Sequence, residues 1–504
     1  MTKYKMFAAI EVGSTQISMT VAEISKNKPI SVKDRIKYEI SIGSEVYSIG
    51  RISIANVEEI CLCLEEFTNI MKSYGVEDYI CYATTAVREA SNSEYIIDQI
   101  GIRTGLKVGI LSNEEERFLH NKAIALKTEY FDDIIKKGAV FIDVSSGSIQ
   151  ISSYAGGRLD FSANLPLGSV RILEAIGNMQ NSAQSVNDVI LKYIKSELDS
   201  FKNYYSFGKD YEYLVFFGNQ IRNISKMCGG IKDDELKVED FEKVYSLLTS
   251  KSAEDISDMF DIPEEEVKMI LPSVLIFKFF VRDKKDKKII IPKISLTDGI
   301  CVEYVEKNGY THTKHIFTDD IISSAYYCAE KYNTDIKHIK RVEEYCEVIF
   351  KAVAKKYGLS KHDLLLLRVS AIFSETGLFM SRNDYEKYSY DTVRANPLIG
   401  LSKNDMDIIA NVVLGDKYKK DNLTKRRRLT VSKLNAILKT ARAADSERDG
   451  RIESIKASIK DSRLVISIRS FDDIIFEKWC LEGVKDYFEE VFGIGMDIKQ
   501  IKIR

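Results

Sequence analysis

Two similar α/β lobes, then an all-helical domain and a small α/β tail, are what this chain predicts, on the strength of a duplicated segment, its length and a change of hydrophobic period. The duplication is the most informative feature. FAAIEVGSTQISMTVAEI, from Phe7 to Ile24, returns in pattern 132 residues later as AVFIDVSSGSIQISSYAGG, from Ala139 to Gly157. Each copy runs from apolar residues to an acid (Glu11 or Asp143), a valine, a turn of small residues and an alternating β-like run. The spacing is about the length of one domain. A chain of 504 residues exceeds what one core supports and has room for three or four domains. From Thr318 to about Val413 the period is helical almost throughout, with stripes such as Val342, Tyr345, Cys346 and Ile349. Arg463 to Ile468 and Asp497 to Ile503 alternate like strands about a helical Phe476 to Phe492, where the spacing puts Trp479 in the core. The expected domains are 1–130, 131–305, 306–440 and 441–504.

Between the two copies, Ile54 to Tyr74 has helical spacing and Asp78 to Ala83 reads as a strand. Small residues in ATTAVREASN then break the strand, and Arg88 is expected to start a helix. The next strand, Val108 to Leu111, leads through cap-like Ser112 and Asn113 into Glu114, Glu115 and Glu116. Three acids suit a first helical turn through the dipole alone, and the same geometry lets one of them point past the helix end. In the second lobe Leu165 to Gly168 ends a strand, and Tyr213 to Ile224 reads as a strand, a Gly218-Asn219 turn and a helix.

Composition narrows the function. With 45% hydrophobic and 29% charged residues the chain belongs with soluble globular proteins. Its most apolar stretch, Leu271 to Val281, is interrupted by Pro272 and Lys278 and falls short of a membrane span. Met1 to Ala9 passes straight into a β-like run, unlike a secretory leader. Eight cysteines without a CxxC pair and only five histidines suggest buried thiols in a reducing, cytoplasmic setting and no soft-metal cluster. A net charge of −2 gives no global field for DNA or a membrane surface, so any polyanion site is local.

The repeated turns supply one. A strand that reverses through small residues presents backbone N–H groups and hydroxyls at its tip, which makes an anion site. Gly13, Ser14 and Thr15 form the first tip and Ser145, Ser146, Gly147 and Ser148 the second, while Gly218 with Asn219 is either a third tip or a common turn with no ligand. The acids at the strand ends, Glu11 and Asp143, lie where they can hold Mg²⁺ beside that anion. Two tips facing across a cleft grip a phosphate chain from both sides.

YATTAVREASN, ILSNEEERFLHN, NLPLGSVR and the duplicated turns together resemble the exopolyphosphatase/guanosine pentaphosphate phosphohydrolase (Ppx/GppA) family over nearly the whole chain. The resemblance implies the ribonuclease-H-like, two-lobed fold of the acetate kinase/actin/Hsp70 superfamily, with an HD-type helical extension. It also implies Mg²⁺- or Mn²⁺-assisted hydrolysis of terminal phosphate from inorganic polyphosphate or guanosine pentaphosphate. By motif, Glu116 takes the place of the water-activating glutamate and Arg88 that of a phosphate-holding arginine. Phosphate-loop positions fall on Gly13, Ser14, Gly147 and Ser148, and the acidic strand ends on Glu11 and Asp143.

The chain departs from the family where it matters. Asp-x-Gly-Ser-Asn-Ser reads Glu11-Val12-Gly13-Ser14-Thr15-Gln16, one methylene longer at the acid. Displacing a catalytic water by about an ångström can lower a rate about 100-fold. Asp-Ile-Gly-Gly-Gly-Ser-Thr-Glu reads Asp143-Val144-Ser145-Ser146-Gly147-Ser148-Ile149-Gln150. A serine in place of a left-handed glycine costs about 1–2 kcal/mol. Leu-Arg-Glu-Gly reads Leu296-Thr297-Asp298-Gly299. In the helical half His338 and Asp445 stand at HD positions, but His-Asp is Ser374-Glu375, His-x-x-His-Ser falls on Tyr385 to Ser389, and another histidine position holds Asp416. One histidine and scattered acids do not make an HD metal site.

Lys417, Lys419, Lys420, Lys425, Arg426, Arg427 and Arg428 form a basic run, either a solvated loop or a steering patch for a long polyanion. Without interleaved aromatics it does not predict sequence-specific nucleic-acid reading. A helical half of this size is compatible with a homodimer, although no continuous exposed apolar face is readable. Three functions stay open: a phosphohydrolase, a polyphosphate- or nucleotide-binding regulator with little turnover, and a scaffold that keeps only the fold.

Overall fold

The structure, a computed structural model, describes residues 4–128, 130–176, 183–204, 211–229, 234–282, 287–310, 314–415 and 423–503. The chain divides into two compact units, Met1–Ile316 and Phe317–Arg504.

The first unit contains two sheets with the same plan. β1 (Tyr4–Val12) pairs antiparallel with β2 (Gln16–Ser25), which pairs antiparallel with β3 (Ser31–Glu39). On its other side β1 runs parallel to β4 (Asp78–Ala83), and β4 parallel to β5 (Val108–Ile110), giving the order β3-β2-β1-β4-β5. The second sheet repeats this with β6 (Ala139–Val144), β7 (Ile149–Ala155), β8 (Arg158–Leu165), β9 (Tyr213–Phe217) and β11 (Lys288–Ile290). A short β10 (Glu235–Leu236) adds an edge, and the order is β10-β11-β9-β6-β7-β8. Pairing directions match strand for strand. The repeat seen in sequence is therefore a repeat of topology.

Central strands β1 and β6 are almost wholly buried, as expected of strands covered on both faces. In the first lobe α1 (Ile42–Ile49), α2 (Ile54–Ser73), α3 (Thr85–Glu89) and α4 (Ser93–Thr104) lie on one face, where Ile10, Val12, Ile60, Leu64 and Phe67 join one core. The opposite face is covered by α5 (Asn113–Lys127) and by α13 (Leu296–Lys307). Phe7, Ala9, Leu119, Ile300 and Tyr304 pack there, and a Cβ on Gly299 would overlap the Leu119 carbonyl, so that glycine lets the two helices touch. The end of the segment expected to form the second lobe, 131–305, thus packs on the first.

The second lobe carries α6 (Phe131–Lys137), α7 (Ser169–Ile176), α8 (Ala183–Tyr204), α9 (Asn219–Met227), α10 (Val238–Ser250), α11 (Ala253–Phe260) and α12 (Glu264–Val281). The apolar stretch after Leu271 belongs to α12, whose Val274, Ile276 and Phe277 are buried in this lobe. Among the described residues no helix is long and apolar enough to cross a membrane, and all eight cysteines are free thiols.

The second unit contains α14 (Phe317–Lys331), α15 (Ile336–Tyr357), α16 (Lys361–Phe373), α17 (Tyr385–Ala395), α18 (Lys403–Leu414) and α19 (Lys425–Ala443). A three-stranded sheet of β12 (Ile452–Lys460), β13 (Arg463–Ser470) and β14 (Gly495–Lys502) follows, with α20 (Ile475–Phe492) crossing between the last two strands. Here the expectation for Trp479 fails. It is 72% exposed and stacks on exposed Phe476, whereas Leu481, Phe488 and Phe492 are buried. Phe488 lies two and a half turns beyond Trp479, which puts the two on opposite sides of a helix.

Candidate functional site

The two turns are built alike. Gly13 N–H donates to the Gln16 carbonyl at 2.9 Å, and Ser145 N–H to the Ser148 carbonyl at 3.0 Å. In each lobe the start of a helix then captures the turn's carbonyls: Gly43 N–H to Ser14 O in the first, Val170 N–H to Ser146 O in the second. Neither turn contains a residue with positive φ, so Ser145 and Ser146 sit without the left-handed strain anticipated for them. Of the three loops only the third has such a residue, Gly218 at φ +119°, where β9 passes into α9. Asn219 opens α9, and its side chain lies outside the described residues.

The tips meet. Thr15 Oγ1 lies 3.3 Å from Ser146 Oγ, a hydroxyl pair that joins the lobes. Ser14 Oγ lies 2.9 Å from the Tyr47 hydroxyl, and Arg171 stacks on the Tyr47 ring while its Nε donates to the Gly147 carbonyl. A Cβ on Gly147 would approach Thr85 Cγ2 to 2.7 Å and overlap the Tyr47 hydroxyl, so the glycine is set by approach of the other lobe rather than by φ. Ser145 Oγ bonds back to Ser148 O, which closes the second turn on itself.

Beneath the tips a cavity of about 80 Å³ is lined by Glu11, Gly13, Thr15, Thr85, Glu116, His120, Asp143, Ser146, Gly218, Gln220 and Arg222, among others. It is several times the roughly 10–15 Å³ that one water needs. The strand-end acids and Glu116 therefore converge on the turns. Ser112 caps α5 in a capping box with Glu115, which leaves Glu116 free to turn inward, where it is 5% exposed.

Arg88 is placed differently from the expectation. It stands in the last turn of α3, not at a helix start, and is not among the residues lining the cavity. Its guanidinium donates to Leu111 O (2.6 Å), Thr85 Oγ1 (2.9 Å) and Asn113 Oδ1 (2.5 Å), with Glu116 Oε2 at 3.4 Å. Those bonds fix it behind the Glu116 carboxylate.

Sequence reasoning missed His120. It lies one turn beyond Glu116, on the same helix face, and its Nδ1 is 2.9 Å from Asp143 Oδ2. The pair is in ion-pair contact without the alignment of a hydrogen bond, since neither atom gains a hydrogen-bond partner. Burial would depress the imidazolium, but Asp143, Glu116 and Glu11 outweigh burial and raise its pKa. Burial raises Glu11 to about 7, with Glu116 and Asp143 adding to it and His120 opposing. Glu116 is raised by burial too, against the pull of Arg88 and His120.

Glu11 and Asp143, which both line the cavity, are the acids that could hold a divalent cation. No group of three or more ligating side chains is arranged to hold a metal by itself among the described residues. Mg²⁺ typically binds through one or two carboxylates plus phosphate oxygens and water, and two carboxylates fit a cation that arrives with phosphate rather than one caged by protein.

Arg35, Lys37 and Lys226 were also unread, as was Arg222. Arg35 bonds Asp298, Ser295 Oγ and Thr20 Oγ1. Partial desolvation lowers the Lys37 pKa, as do Arg222, Lys226 and Arg35, against the Glu11 carboxylate, which raises it.

Two lobes of one topology, closing over a shared cleft at matched turns, define the actin/Hsp70-like class of two-lobed α/β proteins. Within that class the chain belongs to the Ppx/GppA phosphatase family, which matches residues 20–308, while the family's domain III matches residues 322–482. A bifunctional 3-dehydroquinate synthase/phosphatase of Fusobacterium nucleatum is 25% identical over 285 residues, 54% of this chain and 41% of that protein. Exopolyphosphatase 1 of Mycobacterium tuberculosis is 24% identical over 163 residues, 32% of this chain and 46% of that one. The chain thus spans less than half the length of these relatives. A guanosine-5'-triphosphate,3'-diphosphate pyrophosphatase of Pseudoalteromonas translucida is 20% identical over 418 residues, 82% of this chain and 80% of that protein. Among solved structures, the Aquifex aeolicus member of the Ppx/GppA family is 22% identical at a TM-score of 0.51, covering 61% of this chain and 100% of that one. An exopolyphosphatase of Cytophaga hutchinsonii is 15% identical at a TM-score of 0.54, covering 61% and 99%. These two likenesses carry the fold.

In the second unit His338, Glu375 and Asp445 come together. His338 is 2% exposed, its Nδ1 2.6 Å from Asp445 Oδ2 and its Nε2 3.5 Å from Glu375 Oε1. Arg341 holds Asp445, and Arg442 and Arg448 hold Glu375. Burial would raise Glu375, but His338, Arg442 and Arg448 keep it at about 2. Guanidinium groups thus neutralise the buried acids. The hydroxyl of Tyr385 accepts from Arg442, and Asp416 lies outside the described residues. Of the basic run, Lys425, Arg426, Arg427 and Arg428 open α19, whereas Lys417, Lys419 and Lys420 lie outside the described residues.

Proposed function

We propose that the cleft hydrolyses the terminal phosphoanhydride bond of a phosphate chain, either inorganic polyphosphate or guanosine pentaphosphate. The observation that carries this reading is the convergence of Glu116 with the Gly13–Thr15 and Ser145–Ser148 turns around one cavity. Backbone amides and hydroxyls of both turns receive the terminal phosphate. In its ionised form, which Arg88 favours against burial, Glu116 takes a proton from a water as the water oxygen attacks phosphorus, and the bond to the bridging oxygen breaks on the far side. Loose phosphoryl transfer needs positioning and charge neutralisation more than a covalent nucleophile. A divalent cation bound through Glu11 and Asp143, Mg²⁺ or Mn²⁺, would neutralise phosphate oxygens. Orthophosphate release from both substrates tests the reading, and release no greater than that of a Glu116→Gln variant overturns it.

A second reading, a binding protein with little turnover, is favoured by Gln150. Its amide stands opposite Asp143 on β7, buried and without a hydrogen-bond partner, where the family pattern carries a carboxylate. Calorimetry that finds tight binding without release would support it.

A further inference from the structure

The hydrolytic reading gives Glu11, Glu116 and Asp143 each a part and leaves His120, which lines the same cavity, without one. Its ring is held from two sides. α5 carries it one turn beyond Glu116, and it packs edge to face on Phe217, with 5.4 Å between ring centroids and 70° between planes. Phe217 in β9 is the sheet partner of Asp143 in β6, so the aromatic contact brings the imidazole edge to that acid. Nδ1 stops 2.9 Å from Asp143 Oδ2, and both atoms are buried. The other carboxylate oxygen, Oδ1, lies close to Gly218, where a Cβ would approach it to 3.3 Å. Asp143 is only 2% exposed as a result.

Such an oxygen is not a ready ligand. An ion of the size of Mg²⁺ sits about 2.1 Å from each oxygen it binds, and at Oδ2 that space adjoins the ring nitrogen. His120 is not placed as a third ligand beside Glu11 and Asp143 either, since no three ligating side chains among the described residues are arranged to hold a metal.

We propose that His120 is a positioning residue that covers Asp143 Oδ2, so that a divalent cation binds this acid only by displacing the imidazole ring. The assignment rests on the reading of Glu11 and Asp143 as the acids that meet a cation in a phosphate cleft. It explains why the cation should arrive with phosphate: phosphate oxygens and water supply the ligands that a covered carboxylate does not.

The test is calorimetry of Mn²⁺ binding to the full chain without phosphate. His120→Leu keeps an apolar contact on Phe217 and removes both ring nitrogens. It is expected to tighten Mn²⁺ about five- to thirtyfold, within the coupling range of residues in contact. Asp143→Asn should weaken Mn²⁺, and adding His120→Leu to it should change the affinity less than about twofold. The wild type supplies a readout that needs no His120 variant to fold. With five histidines in the chain, ring resonances can be followed by NMR, and Mg²⁺ should move that of His120 in the wild type but not in Asp143→Asn. Unchanged or weaker Mn²⁺ binding in His120→Leu, an equal gain with and without Asp143, a still ring resonance in the wild type, or no Mn²⁺ binding by any of these chains overturns the proposal. Orthophosphate release that depends on Glu116, without the gain in Mn²⁺ affinity, would leave the hydrolase standing and sink the role of His120. The gain in a chain that releases no orthophosphate would do the reverse.

Discussion

The two hairpins share a frame but not a chemistry. In the first lobe a row across the sheet reads Glu11, Ser18, Lys37; the matching row in the second reads Asp143, Gln150, Asn164. Ser18 donates to Glu11 at 3.2 Å, and the row ends in an exposed lysine. In the second row Asp143 Oδ2, both amide atoms of Gln150 and Asn164 Oδ1 are buried without hydrogen-bond partners. One row ends in an exposed lysine, and the other holds buried polar atoms without hydrogen-bond partners and ends in a half-buried asparagine. Duplication has kept the turn that presents amides and let the side chains behind it diverge. A backbone anion site depends on the turn, whereas catalysis and ligand choice depend on what stands behind it.

If the hairpins only grip and Glu116 alone activates water, Glu116→Gln should lower the turnover number about 10²- to 10⁴-fold with little change in phosphate affinity, measured by orthophosphate release. An equal loss from a change in either hairpin would break the division of labour.

The asymmetry also predicts a pH effect. Glu11 has a folded value of about 7 against an ordinary 4.5, so between those values the folded chain keeps a proton that the unfolded chain has lost. The stability from that proton is complete below pH 4.5 and is lost as pH rises through 7. At about 1.4 kcal/mol per pH unit, Glu11→Gln should gain up to roughly 3 kcal/mol on wild type between pH 4 and pH 8. Urea unfolding at both pH values checks this, and a constant difference would refute it. The smallest effect belongs to the second row. Gln150→Met, which removes two unpaired buried atoms at similar volume, should stabilise by about 1–2 kcal/mol in the same assay, while Ser18→Ala should destabilise by about 1 kcal/mol.

Strand, turn and helix order were legible because the alternating period and small-residue turns are local signals. That Glu11 and Asp143 line one cavity was legible because the repeat implied two facing tips, and Glu116 because its motif resembles the family's. His120 escaped notice although its one-turn spacing from Glu116 was available, because its partner Asp143 comes from β6 of the other lobe. Arg35 and Lys37 went unread, because only the cross-strand register puts them on the face of Glu11. Arg88 was read as a phosphate clamp, but its bonds to Leu111 and Asn113 are tertiary contacts that no local pattern encodes. His338 and Asp445 lie 107 positions apart, so their meeting depends on helix packing.

The central claim is that one phosphate chain touches amides of both turns at once, and amide hydrogen exchange with and without pyrophosphate tests it most directly. Protection should rise together across residues 13–15 and 145–148. Protection confined to one turn, or absent from both while pyrophosphate is bound, would contradict it.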